Sequence, residues 1–111
     1  NLRSTGGRIG GVFNSTVYGA TKAGILAMTK SFARHYAPYK ILVNAVAPGA
    51  VDTRMMNILP DTTLKGVIEA APLKRLAETS EIANAIVFLS SDEASWITGA
   101  TLDVNGGTLM L

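Results

Sequence analysis

Residues 41–47, Ile-Leu-Val-Asn-Ala-Val-Ala, form a nearly continuous apolar run that Pro48-Gly49 stops sharply. A short run without polar alternation predicts a strand buried on both faces, as in a parallel sheet. Asn44 is the one polar residue in it, and a buried amide needs partners. Residues 50–53, Ala-Val-Asp-Thr, then leave the C-terminal end of that strand. Open parallel sheets bind ligands beyond their C-terminal strand ends. A plain turn at Pro48-Gly49 is the simpler alternative.

The segments around this strand carry helical patterns. Ser15 or Thr16 is placed to cap a helix running from about residue 16 to Ala37, before Pro38. Ile25, Met28, Phe32 and Tyr36 recur along it at helical spacing, and Ala20, Ala23, Gly24 and Ala27 form a small-residue face open to close approach. Lys30, Arg34 and His35 lie in its second half, where positive charge suits the helix dipole.

Residues 54–77 are less regular. Met55, Met56, Ile58 and Leu59 read equally as a lid or substrate wall and as gap-filling side chains. Asp61 is placed to cap a short helix near 62–71, which Pro72 closes. A clear helix follows over 79–90, with Glu78 and Glu81 near its start and a broad stripe of Ile82, Ala83, Ile86, Val87 and Leu89 expected to be buried. Residues 91–95 read as a capped single turn, Trp96 as a packing residue, and 100–104 as a last strand before a turn at Asn105-Gly106-Gly107. The order helix, strand, helix, strand predicts an α/β fold with a right-handed crossover and parallel pairing.

Composition narrows the function. The chain has 111 residues, is 48% hydrophobic and carries a net charge of +2, which suits one small globular domain. Its lysines and arginines are scattered, so a nucleic-acid surface gains no support. It has no cysteine and one histidine, which removes disulfides, thiolate sites and an obvious metal cluster. Without a membrane-length apolar run or a signal peptide, the expected setting is soluble and cytoplasmic.

Tyr18 and Lys22 stand four apart at the start of the first helix, so they share a face. An ammonium favours ionisation of a phenol held beside it. A phenol so placed can give or take a proton at a carbonyl or alcohol. Alone the pair is a weak signal, since tyrosine and lysine share helix faces in many proteins for packing and solvation. Residues 5–11, Thr-Gly-Gly-Arg-Ile-Gly-Gly, fall short of a dinucleotide loop, because no strand precedes them and Val12 replaces the last glycine.

Taken together, these blocks resemble the C-terminal half of the short-chain dehydrogenase/reductase family over about residues 16–107. Tyr18-Gly19-Ala20-Thr21-Lys22-Ala23-Gly24 resembles its active-site helix, and Val43-Asn44-Ala45-Val46-Ala47-Pro48-Gly49 its next strand and turn. Val51-Asp52-Thr53, Pro72-Leu73-Lys74-Arg75-Leu76, Glu81-Ile82-Ala83, residues 88–95, Ile97-Thr98-Gly99 and Asp103-Val104-Asn105-Gly106-Gly107 complete the match in order. Within the family the pattern is similar to 3-oxoacyl-carrier-protein reductases and small sugar or alcohol dehydrogenases.

The resemblance implies an NAD(P)-dependent oxidoreductase interconverting a carbonyl and a secondary alcohol, built on a Rossmann-like doubly wound parallel sheet of which the C-terminal half is present. Tyr18 would be the general acid or base. Lys22 would help it and bind the nicotinamide ribose. The backbone at Pro48, Gly49 and Val51 would line the nicotinamide pocket, and Thr53 would meet the carboxamide or pyrophosphate. NADP and NAD are both open as cofactors. The partners implied are a small carbonyl or alcohol substrate and further copies of the chain, as a tetramer or dimer. Residues 54–77 would form the substrate loop.

Two departures stand out. The family's nucleotide loop and the residue that selects NAD or NADP belong to upstream elements without counterparts here. Counting back from Tyr18 by the family's spacing places the catalytic serine at Thr5, while Gly6-Gly7-Arg8-Ile9 resembles the start of the serine-bearing strand. A gap of several residues after Ile9 reconciles the two, so no serine is assigned, and Ser15 does not match. Residues 1–15 are thus expected to be a truncated or gapped strand region within a single domain over 1–111. With no initiator methionine, the chain is expected to be part of a longer protein. The alternative function is a non-catalytic piece acting only in folding or oligomerisation.

Overall fold

The computed structural model describes residues 16–110. The expectations that fall on Thr5, Gly6, Gly7, Arg8, Ile9, Gly10, Gly11 and Ser15 therefore lie outside the described residues.

Helix α1 spans Thr16–Tyr36 and ends with Arg34 and His35 in its last turn, where they oppose the negative end of the dipole. The α-helix stops one residue before the expected Ala37. Pro38 sits instead inside a 3-10 turn over Ala37–Tyr39, which Lys40 closes in the left-handed conformation. The buried residues of α1 are Gly19, Thr29 and Ala33. The recurring stripe is only partly covered, since Met28, Phe32 and Tyr36 are all more than a third exposed. Ala20, Ala23, Gly24 and Ala27 are exposed as well.

Strand β1 covers Ala45–Pro48 and strand β2 Thr101–Val104. They pair in parallel, with Ala45 opposite Thr101 and Pro48 opposite Val104. Ala45, Val46 and Ala47 are almost fully buried, as the apolar run predicted. The strand is shorter than that run, because Ile41 and Leu42 are exposed and outside the ladder. The two residues between are held differently. The Gly99 amide donates to the Val43 carbonyl at 2.8 Å, and the Val43 amide donates to the Thr98 hydroxyl at 3.1 Å. The Asn44 amide nitrogen donates to the Ile97 carbonyl at 2.7 Å, and its oxygen accepts from the Ala100 amide at 3.1 Å. Asn44 thus adds two side-chain bonds between the backbone bonds at Val43 and Ala45.

The crossover between the strands holds three helices: α2 over Arg54–Asn57, α3 over Asp61–Ala70 and α4 over Thr79–Leu89. Asp61 does not cap α3. Pro60 is the N-cap and Asp61 lies in the first turn, where its charge acts on the dipole. Helix α4 packs on both strands. Its N-cap is Glu78, whose amide donates to the Glu81 carboxylate at 2.8 Å in capping-box fashion, so that orphan amide of the helix start is satisfied. Only Ile82 of the expected α4 stripe is buried, and Ile86 and Val87 are 42% and 66% exposed. The expectation for Trp96 fails too, since it is 99% exposed. Both errors have one cause. Helical spacing shows which residues share a face, and a neighbour decides whether that face is covered.

Candidate active site

Tyr18 and Lys22 lie in the first two turns of α1. The Lys22 ammonium sits over the Tyr18 ring, 5.6 Å from its centroid, within cation–π range. Tyr18 is half exposed and Lys22 is partly buried. The Thr21 hydroxyl donates to the Tyr18 carbonyl at 2.8 Å, which ties the turn between them. Helix α1 meets the loop before β2 through its C-terminal half, where Ala33 lies against Gly99.

The second group of expected residues clusters past the C-terminal end of β1. Pro48 is the last residue of the strand. The Gly49 amide donates to the Val104 carbonyl at 3.0 Å. Gly49 packs so closely on Asn105 that a Cβ built on it would stand 2.8 Å from the Asn105 Cα. Val51 pairs in parallel with Ala77. In that bridge the Ala77 amide donates to the Ala50 carbonyl at 3.0 Å, and the Asp52 amide donates to the Ala77 carbonyl at 2.8 Å. Thr53 is the N-cap of α2, but its side chain makes no capping bond and is exposed. A cavity of about 240 Å³ opens beside this loop, walled by Ala50, Ala71, Leu73, Ala77 and Val104, with Arg75, Glu81 and Asp103 as charged lining. It lies beyond both strand ends, where open parallel sheets hold ligands.

The structure also brings together residues that sequence reading passed over. Arg75 forms a two-pronged pair with Glu81, at 2.8 Å to one carboxylate oxygen and 2.7 Å to the other. One of its nitrogens also donates to the Leu76 carbonyl at 3.0 Å. Glu81 accepts in addition from the Glu78 amide at 2.8 Å. The hydrogen bond from Arg75, with that from the Glu78 backbone next, holds the Glu81 carboxyl down at about 2, and the same pairing raises Arg75. The Glu-x-x-Glu spacing at the helix start was the available signal. Among the described residues no group of His, Cys, Asp and Glu is arranged to hold a metal ion, and no helix is long and apolar enough to cross a membrane.

Comparison with known proteins identifies the family. The family model described as enoyl-(acyl carrier protein) reductase matches residues 1–108. The 3-oxoacyl-(acyl-carrier-protein) reductase of Staphylococcus epidermidis is 46% identical over 110 residues, which cover 99% of this chain and 45% of that protein. The protein of the same name from Escherichia coli K12 is 49% identical over 94 residues, or 85% of this chain and 38% of that one. Among solved structures, a short-chain dehydrogenase/reductase of Brucella melitensis described as a glucose/ribitol dehydrogenase superposes with a TM-score of 0.91 at 42% identity. It covers 99% of this chain, which spans 44% of it. The chain thus spans less than half the length of the relatives it matches. The chain belongs to the short-chain dehydrogenase/reductase family, and its parallel strand pair and helical crossover agree with that family's Rossmann-like fold.

Proposed function

We propose that the protein carrying this chain is an NAD(P)-dependent oxidoreductase that interconverts a carbonyl and a secondary alcohol. The observation that carries this reading is the 46% identity to a 3-oxoacyl-(acyl-carrier-protein) reductase over 99% of the chain, across both the Tyr18–Lys22 pair and the loop after β1. The names of the relatives make a 3-oxoacyl thioester the first substrate class to try. The reading includes a cytoplasmic setting and a homo-oligomer, tetramer or dimer. The exposed Ala20, Ala23, Gly24 and Ala27 face of α1 suits such packing.

The residues present fit a nicotinamide. Gly49 lets the backbone run tight under Asn105, the loop at 50–52 is pinned by Ala77, and the Thr53 side chain is exposed and does no capping. Pro48, Gly49 and Val51 then present backbone to the ring, and Thr53 presents a hydroxyl to the carboxamide or pyrophosphate. When bound, the nicotinamide supplies the hydride in reduction or takes it in oxidation. Tyr18 gives the proton that the carbonyl oxygen gains, or removes it from the alcohol. Lys22 holds the ribose and places positive charge beside the phenol. Residues 54–77 form the substrate side, with Met55 and Ile58 exposed.

The test is a fluorescence titration of the protein with NADPH and with NADH. Saturable binding of either supports the reading. No binding of either overturns it and leaves the chain as a folding or oligomerisation unit.

A further inference from the structure

The loop over 49–53 is held from two sides. On one side the Gly49 amide reaches the Val104 carbonyl at the end of β2. On the other, Ala77 bonds both to Ala50 and to Asp52. Residues 74–78 belong to no helix or strand ladder of their own, so something else must fix Ala77. The Arg75 guanidinium does this from both ends. It bonds the Leu76 carbonyl, next to Ala77 in sequence, and grips both oxygens of Glu81 on the first turn of α4. The same carboxylate takes the Glu78 amide, immediately after Ala77. A planar fork on a carboxylate fixes direction as well as distance.

From this geometry we infer that Arg75 and Glu81 are a positioning pair. They set the register of Ala77 on residues 50–52, and through it the backbone that faces the nicotinamide. The last step rests on the reading of Pro48, Gly49, Val51 and Thr53 as the nicotinamide wall; the coupling from Arg75 to Ala77 does not. The pair is assigned to cofactor binding through this backbone, and proton transfer stays with Tyr18.

The test measures amide hydrogen exchange at Asp52 and Ala77 together with NADPH and NADH dissociation constants, in the full chain and in Arg75→Met and Arg75→Lys. Local opening at a clamp raises exchange only at the amides it holds. In Arg75→Met, exchange at Asp52 and Ala77 should quicken about fivefold or more while α1 amides are unchanged. The cofactor constant should rise in parallel, and Arg75→Lys should recover part of both effects. Unchanged exchange at the two amides overturns the inference, whatever the cofactor does. Faster exchange with unchanged cofactor affinity overturns the positioning role and leaves a structural brace. If the unsubstituted protein binds neither cofactor, the proposed function falls, while the exchange result still decides the coupling. Should Arg75→Met lose protection throughout, Glu81→Gln is read in the same way, since it keeps an acceptor for the Glu78 amide.

Discussion

Gly49 and Asn105 touch backbone to backbone where the loop after β1 crosses the turn after β2. A Cβ on Gly49 would lie 2.8 Å from the Asn105 Cα and 3.2 Å from its carbonyl oxygen. Neither is the far end of a flexible side chain, so one of the two backbones must shift. Gly49→Ala should therefore destabilise the protein by about 1–3 kcal/mol, the usual cost of overpacking. Urea unfolding of the two proteins checks this. Equal midpoints would mean that the crossing yields freely.

Tyr18 and Lys22 should separate turnover from binding. Tyr18→Phe keeps the ring under the Lys22 ammonium and removes only the hydroxyl. Turnover in carbonyl reduction should fall by ~10²–10⁴-fold with cofactor affinity nearly unchanged. Lys22→Ala should weaken both. Full turnover in the first variant would remove Tyr18 from the mechanism, and unchanged cofactor affinity in the second would remove the ribose contact.

Asn44 bridges the entry to both strands through Ile97 and Ala100. Asn44→Leu fills similar space but leaves a carbonyl and an amide without these partners. The cost should be about 1–3 kcal/mol for each buried group left unsatisfied, less where water reaches it. Thermal unfolding measures it. A variant as stable as the parent would mean that solvent replaces the amide fully.

Glu81 predicts an acid limit. Its carboxyl is held at about 2, below the ordinary value of 4.5. A depressed carboxylate contributes stability above its unfolded value, and that contribution is lost as pH falls from about 4.5 toward 2. Melting temperature should drop over this window in the parent and drop less steeply in Glu81→Gln. Both residues of the pair are substantially exposed, so added salt should narrow the difference. Parallel curves for the two proteins would show that the pair does not couple to folding.

Much of this was legible in the sequence because it is local. The apolar run at 41–47 announced a buried parallel strand, and Ala45, Val46 and Ala47 are nearly inaccessible. Its single amide required partners and has them. Proline and glycine marked the ends of β1, α1 and the final turn, since their backbone limits act within a few residues. Tyr18 and Lys22 share a face because four residues make about one turn.

The rest depended on which segments meet. Periodicity grouped Ile82, Ile86 and Val87 with their neighbours, yet only Ile82 is buried, because burial belongs to the partner surface and not to the helix. Trp96 looked like core by its chemistry and is exposed by its place in a loop. The bridge from Val51 to Ala77 and the clamp of Arg75 on Glu81 could not be read from spacing, since residues 26 and six positions apart meet only through the path of the chain. Sequence alone determined the secondary structure near its breakers and the shared helix face of Tyr18 and Lys22. Tertiary structure decided what holds the loop after β1 in place, because that hold is made of contacts between segments with no local code for one another.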